Sequence, residues 1–348
     1  MSGAESRKTA SVPTGSGGAP GAAVDGMRRV NRAPAVLLGV FTLTLIVSVP
    51  LAVALRGMLA QHLGDSLVAD SAAAGVNYDW MQEFADQATG LGVTFKPTII
   101  GFAAVLDNLS AFLDNTTRPA VIVGAASVYI LGWLLLAGGV IDRFARDRPI
   151  RAHGFFAACG VFFFRFLRLA AVQWIVYAAL FGALHPWLFG RLYPRLIHEV
   201  TVERTAFFVR VSLYAVFGVL VAACSTVFDY AKVRAVVEDR RSMLGAINAA
   251  IGFISRNSAA VVQLFLLDFL LFVAVIVLYG FVAPGAGGRG VMVWAAVAIG
   301  QAYIVARLWV KLTFWGSEIA LFQSRLAHAG YVARPEPVWP ESPAADMM

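Results

Sequence analysis

Charged residues are scarce in this chain of 348 residues, where Asp, Glu, Lys and Arg together make up 14%. A soluble domain usually contains about 25% charged residues. Hydrophobic residues make up 59%, and the mean hydropathy is +0.72. A soluble fold of this length leaves a large surface in water and could not hide so much apolar side chain in its core. The composition therefore excludes an ordinary soluble enzyme and indicates a protein embedded in a lipid bilayer.

Cysteine is rare, and the familiar catalytic motifs are missing. Cys159 and Cys224 lie in apolar runs without the CxxC spacing of a zinc or redox site. The five histidines are scattered, and the chain has no HExxH, no Walker loop and no GxSxG. We therefore predict a protein that is not an enzyme, with no catalytic residues, no cofactor and no metal site.

Six apolar runs are each long enough to cross a hydrocarbon core of about 30 Å as a helix. They cover residues 35–55, 119–141, 167–188, 205–228, 259–282 and 291–314. The first run is a spanning helix or a signal anchor. The predicted fold is all-α and polytopic, with a six-span membrane domain over residues 34–328. A disordered basic tail over 1–33 and a Pro-rich disordered tail over 329–348 are expected to flank it.

The distribution of basic residues predicts the orientation, because cytoplasmic loops are enriched in Lys and Arg. The tail 1–33 and the segments 142–168 and 229–256 are basic, whereas residues 57–118 carry seven acidic residues against Lys96 and Arg118. We predict a bacterial inner-membrane protein with both termini in the cytoplasm and residues 57–118 outside. The loop 185–206 opposes this arrangement, since it places three arginines outside. The net charge of +7 then reports topology and no nucleic-acid partner.

The exported segment 57–118 contains two amphipathic patterns. The first runs from Met58 to Ala74. The second has Thr98 as its predicted N-cap and an apolar stripe at helical spacing. The stripe consists of Ile99, Phe102, Ala103, Leu106, Leu109 and Leu113. Such helices rest on the membrane surface or cover the outer face of the bundle. The alternative is a docking site for a protein partner.

Two of the cytoplasmic segments repeat one pattern. After span 2 the chain reads DRFARDR from Asp142, and after span 4 it reads DYAKVR from Asp229. Each segment has an acidic residue at the exit of the span, then Ala, a base, one further residue and Arg. Glu318 opens a weaker third copy after span 6. The pattern indicates a threefold repeat of two spans followed by a cytoplasmic helix.

The second copy predicts an amphipathic helix that lies in the membrane interface. Its apolar stripe consists of Val233, Val236, Val237, Met243, Leu244, Ile247, Ile251 and Ile254. On another face, Arg234, Glu238 and Arg241 have the spacing of helical ion pairs. The basic residues of these segments either brace the bundle or bind anionic lipid headgroups or a cytoplasmic partner. The candidates for headgroup contact are Arg146, Arg148, Arg165, Arg168, Lys232, Arg234, Arg240 and Arg241.

The stretch DYAKVRAVVED from Asp229 to Asp239, with its echo at Asp142, resembles a group of bacterial six-span membrane proteins. That group includes the membrane domain found beside glycerophosphodiester phosphodiesterases. The resemblance covers residues 119–328 and leaves out the exported segment. It implies a membrane scaffold or accessory module, and it assigns no catalytic residues.

Asp268 is the most conspicuous polar residue within a span, because an ionisable group there costs about 2.5–3.5 kcal/mol on insertion scales. Arg307 in span 6 is predicted to reach it and form a buried ion pair. The alternative is a protonatable carboxylate in a transport path. Gln173, Gln263 and Gln301 are further candidates for lining the interior of the bundle.

Two functions follow from these observations. The first is a non-catalytic scaffold or accessory protein of the membrane. The alternative is a transporter of a small molecule or lipid that uses a polar site around Asp268. A polar cavity that reaches Asp268 would favour transport, and a closed, dry bundle would favour the scaffold.

Overall fold

The computed structural model describes residues 18–64, 66–74, 77–285 and 290–326, and every regular element within these ranges is helical. We number the principal helices in chain order. They are α1 (Ala19–Asn31), α2 (Pro34–Leu63), α3 (Val68–Ala74), α4 (Tyr78–Gln87), α5 (Gly101–Leu113), α6 (Ala120–Arg146), α7 (Ala152–Ile197), α8 (Glu203–Val237), α9 (Met243–Arg256), α10 (Ser258–Val282) and α11 (Val291–Arg325).

Six of these helices, α2, α6, α7, α8, α10 and α11, are long and apolar enough to cross a membrane. The prediction of an all-α, multi-pass membrane protein is therefore confirmed. The helices extend beyond the predicted runs, however. α6, α8 and α11 continue to Arg146, Val237 and Arg325. α7 continues through two π-helical turns to Ile197, so much of the predicted loop 185–206 is helical.

The extensions of α6, α8 and α11 pack with α1 and α9 into the main hydrophobic core of the described chain. We call this region the α1 end of the bundle. Its fully buried side chains include Phe144, Tyr230, Leu312, Ile319 and Phe322. Farther along the same helices, the apolar side chains are largely exposed, as lipid-facing side chains must be. The tightest packing therefore lies at one end of the spanning helices.

Helix α1 corrects the prediction of a disordered tail over residues 1–33. Residues 19–31 are helical, and Ala19, Ala22, Ala23 and Val30 are buried in the core. Their spacing places small side chains on one face, which lets the helix approach α11 closely. Residues 1–17 and the predicted tail 329–348 lie outside the described residues.

The crossing of α1 and α11 is close enough to require glycine on both helices. A Cβ atom built on Gly26 would lie 2.5 Å from the Ser317 backbone nitrogen, and one built on Gly316 would lie 2.9 Å from the Gly26 carbonyl oxygen. Each distance is far below van der Waals contact. The main chains of the two helices therefore touch directly.

Side chains of α1 and α11 also satisfy the last carbonyl groups of α6, which have no partner within their own helix. Arg29 donates to the Phe144 carbonyl oxygen over 2.8 Å, and Gln323 donates to that of Ala145 over 3.0 Å. Arg29 also pairs with Asp25 and hydrogen-bonds Gln323. The end of α6 is thereby fixed between two other helices.

The structure changes the predicted form of the repeat. In the second copy, a turn separates the end of α8 from α9, whose buried face consists of Met243, Ala246, Ala250 and Phe253. The predicted single stripe is wrong in part, because Leu244 and Ile251 are exposed. In the first copy, the corresponding segment is the start of α7 and forms one helix with the following span. In the third copy, α11 ends at Arg325, one residue before the described chain stops.

The predicted amphipathic helices of the exported segment are shorter than expected. The first pattern is interrupted at Gly64, where α2 ends, and resumes in α3. The second helix begins at Gly101, so Thr98 is not its N-cap and lies in a 3₁₀ turn. α5 contacts both α7 and α10, through the His185 ring that meets the Leu113 carbonyl at 2.7 Å and through Phe102 beside Gly280. It lies across the bundle at the end opposite α1.

We expect the substitution Gly26→Ala to destabilise the protein by about 1–3 kcal/mol, the usual cost of overpacking a close contact. The added methyl group would collide with the backbone of Ser317, which cannot rotate away. Thermal unfolding in detergent measures the effect. Gly39→Ala in α2 is the matched control, since nothing lies within 4 Å of its Cβ position. Equal melting temperatures for the two variants would contradict the direct contact of α1 with α11.

Candidate functional site

A cavity of about 990 Å³ lies among the six spanning helices, each of which contributes to its wall. Its wall is mainly apolar and includes Val47, Leu51, Ile122, Ala125 and Phe272. Cavities of about 300–1,000 Å³ are typical of small-molecule binding sites. Two further wall residues, Ile130 and Trp174, are more than half exposed, so the cavity is open at the surface of the bundle.

Polar and charged side chains gather where the cavity meets the α1 end. They are Gln173, Ser225, Thr226, Asp229, Lys232, Arg307, Lys311 and Glu318. α8 and α11 contribute most of them. Asp229, Lys232 and Glu318 lie just beyond the predicted spans, whereas Arg307 and Lys311 lie within span 6. The cavity therefore has a long apolar part and a charged end, which suits an amphipathic ligand.

Asp229 is the carboxylate at the charged end of the cavity whose charge is best matched by hydrogen-bond donors. It accepts a hydrogen bond from Lys232 over 2.8 Å and a second from the Trp315 indole nitrogen over 3.2 Å. The Lys232 ammonium also lies 5.8 Å from the centroid of the Trp315 ring. A buried carboxylate needs such partners, because its desolvation is otherwise costly. Trp315 was not among the predicted site residues, since an indole next to a span end is more often an interfacial anchor.

Arg307 and Lys311 lie one helical turn apart on α11 and are exposed along the cavity wall. Arg307 lies over the Tyr303 ring at 5.7 Å and Lys311 over the Trp315 ring at 5.3 Å. Neither side chain forms an ion pair with a described residue. Their positive charges are therefore available to an anionic group in the cavity.

Glu318 has no base one turn later on its own helix. In the repeat, Asp142 pairs with Arg146 over 2.9 Å and Asp229 pairs with Lys232, whereas the position equivalent to Lys232 in the third copy is Leu321. Glu318 is 5% exposed, and its Oε2 atom has no hydrogen-bond partner among the described residues. The charges nearest to it belong to Asp229, Lys311, Asp268 and Lys232. Glu318 was missed as a site residue because the sequence shows only that its copy of the repeat is weak.

The structure does not bring Asp268 and Arg307 together, so the predicted ion pair is wrong. Asp268 is buried at 1% exposure and is hydrogen-bonded to the Ser317 hydroxyl. The reason is the length of α11, which carries Ser317 past the predicted end of span 6 and against α10. Arg307 lies ten residues earlier on the same helix, at the cavity wall instead.

The three predicted glutamines occupy different environments. Gln173 lines the cavity, as expected. Gln301 is partly buried, and its Oε1 atom has no partner within the described chain. Gln263 is exposed on α10, so the prediction that it faces the interior is wrong. Its helix turns it away from the face that carries Val261, Leu264 and Asp268.

The basic residues predicted to contact lipid headgroups fall into two groups. Lys232 and Arg234 are engaged within the protein, since Arg234 is 8% exposed, pairs with Glu238 over 2.6 Å and donates to the Ala249 carbonyl oxygen. Arg146, Arg165 and Arg240 are also paired, with Asp142, Asp239 and Glu238. Arg148, Arg168 and Arg241 are exposed. Only the last group is fully accessible to a headgroup.

Comparisons of the chain with protein families, curated proteins and solved structures found no match. The function must therefore be argued from the site itself.

We expect Lys232→Met to destabilise the protein by about 3–5 kcal/mol, because it leaves the buried Asp229 carboxylate without its direct partner. The double variant Asp229→Asn/Lys232→Met removes both charges and should recover much of that loss. Unfolding free energies of the two single variants and the double variant form the test cycle. Additive losses would show that the two charges do not interact.

Proposed function

We propose that this protein binds an anionic amphipathic molecule of lipid type in the cavity and moves it through the helix bundle. The observation that carries the proposal is the cavity itself, with its apolar wall and the two exposed cations at its charged end. An acyl chain fits the apolar wall, and an anionic headgroup fits beside Arg307 and Lys311.

Asp268 is not part of the cavity wall, so the predicted sign of transport, a polar cavity that reaches Asp268, is not met. The size and the cations of the cavity favour transport over a purely structural scaffold for other reasons. A bundle that only braced other proteins needs no cation within its spans, where each charge is costly, yet Arg307 and Lys311 lie in the cavity wall without an ion pair to a described residue. Here the walls stay apart while the α1 end is tightly packed. The opening beside Ile130 and Trp174 supplies an entrance from the bilayer, which suits a ligand that is itself a membrane component.

The binding test uses a fluorescent short-chain phosphatidylglycerol, a monoanionic lipid, with the purified protein in nanodiscs of neutral lipid. We expect Arg307→Gln and Lys311→Gln each to weaken binding about tenfold, the worth of one charge-assisted hydrogen bond. Arg148→Gln is the control, because Arg148 is exposed and outside the cavity wall. Equal affinities for all three variants would refute a binding site at the cavity.

Transport is tested by movement of the same lipid across the bilayer of proteoliposomes. Ala125→Trp, on the cavity wall of α6, should block it sterically. The matched control is Val128→Trp on the same helix, which is 59% exposed and not part of the wall. Binding without transport in the unmodified protein would reduce the proposal to lipid binding alone.

We further propose that the protein lies in a bacterial inner membrane with both termini in the cytoplasm. The support is the basic α1 end and the acidic segment 57–118 at the opposite end. The basic residues that remain exposed at the α1 end, such as Arg148 and Arg241, would then face anionic headgroups.

The orientation is tested with single cysteines in a variant whose two native cysteines are replaced by alanine. Asp86→Cys on α4 and Arg241→Cys before α9 are both exposed positions. A membrane-impermeant maleimide should label the first in intact cells and the second only after permeabilisation. The reverse pattern would invert the proposed topology.

A further inference from the structure

Three buried oxygen atoms at the α1 end lack hydrogen-bond partners among the described residues. They are the Tyr230 hydroxyl, Asp268 Oδ1 and Glu318 Oε2. All three residues are at most 5% exposed. Buried polar atoms in native proteins nearly always have a partner, so each exception needs an explanation. Three exceptions from three different helices, α8, α10 and α11, indicate one common cause.

The three residues line a single small void. Its volume is about 10 Å³, which is the space of no more than one water molecule. Apolar side chains complete the wall, among them Val261, Leu264 and Phe265. Glu318 also lines the large cavity, as do Thr226, Phe265 and Phe314. Glu318 therefore stands between the large cavity and the closed void that Asp268 faces.

The hydrogen bonds of Ser317 leave room for a proton on Asp268. The Ser317 hydroxyl lies 2.9 Å from the Thr313 carbonyl oxygen, 3.0 Å from the Phe314 carbonyl oxygen and within hydrogen-bond distance of Asp268. A hydroxyl has one hydrogen to donate and accepts with its lone pairs. Because Ser317 can donate to a carbonyl of its own helix, a protonated Asp268 can donate to Ser317, and both contacts are satisfied.

The surrounding charges also favour a bound proton. α8 contributes Asp229, Tyr230 and Lys232, and α11 contributes Lys311. α1, which touches Ser317, contributes Asp25 and Arg29, which pair with each other, and Arg28, which is exposed. Asp229 and Lys232 neutralise one another, so two carboxyl groups remain for the single ammonium of Lys311. Two buried carboxylates near each other do not both stay ionised.

We propose that Asp268 and Glu318 form a proton-binding pair around the void that they line together with Tyr230. A proton enters from the large cavity and adds to a carboxylate oxygen of Glu318 or Asp268. When it is bound to Glu318, it removes the negative charge that faces the large cavity. No oxidant or further reactant takes part, since one proton is bound and none is consumed.

The proton-binding pair would regulate the proposed function of the cavity. Its coupling to a ligand rests on that proposed function. An anionic headgroup beside Lys311 lies next to Glu318 and is repelled when Glu318 is ionised. A neutral Glu318 removes the repulsion, so binding of the anion and uptake of the proton favour each other. The proton site then gives the cavity a pH-dependent affinity.

Infrared spectroscopy of the purified full-length protein tests the pair without any ligand. At neutral pH we expect the carbonyl band of a protonated carboxyl group, reduced or lost in Asp268→Asn and Glu318→Gln. Asp142→Asn is the control, because Asp142 is a buried carboxyl group that pairs with Arg146 and lies outside the void. If both pair variants fail to fold, Tyr230→Phe, which removes only the hydroxyl that faces the void beside the two carboxyl groups, should still shift the band. The absence of the band in the unmodified protein, or its persistence in both folded pair variants, would overturn the proposal.

Binding of phosphatidylglycerol at different pH values tests the coupling. We expect the dissociation constant to rise as the pH rises, by up to about tenfold for each pH unit, which is the limit for one linked proton. In Glu318→Gln the dependence should flatten. A pH-independent affinity in the unmodified protein would overturn the coupling. If the protein does not bind the lipid but still shows the infrared band, the proposed function is refuted and the proton-binding pair is not.

Discussion

The buried carboxylates at the α1 end set the main constraint on this structure. Asp142, Asp229 and Glu318 each lie near the point where the apolar run of a spanning helix ends, and each is at most 7% exposed. A charge in such a place must be matched or neutralised. The first two are matched by a base one turn later on the same helix. The third has leucine there, so it lacks the neighbouring base that the other two have.

This constraint explains why α1 and the extended helices are packed so closely. Three arginines, Arg29, Arg143 and Arg234, donate to carbonyl oxygens of neighbouring segments and fix the ends of the helices. The contact of Gly26 with Ser317 presses α1 against the turn that carries Glu318 and the partner of Asp268. That turn is almost completely buried. A carboxyl group there can then bind a proton without an ordinary ion pair.

Hydropathy alone predicted all six spanning helices, because a run of about twenty apolar residues is typical of a helix that crosses a membrane. It could not predict how far α6, α8 and α11 continue, since their last turns are stabilised by contacts with other helices. The predicted ion pair of Asp268 with Arg307 was wrong for this reason, because Ser317, the hydrogen-bond partner of Asp268, lies beyond the apolar run. α1 was missed because it buries alanine and glycine, whose small side chains give no strong hydropathy signal. The cavity has no signature in sequence, because it depends on how six helices diverge.

The close packing at one end and the cavity beside it have a common origin. α6, α8 and α11 are held together beyond their apolar runs, where polar contacts and burial of apolar surface from water both act. Within the apolar runs, side chains gain little by leaving lipid for one another, so the helices are free to separate. Asp229, Lys232 and Glu318, which lie at the α1 end, also form the floor of the cavity. A ligand seated on that floor would contact Lys311 and Glu318 directly, and its charge would act on the same carboxyl pair that the packing of α1 keeps away from water.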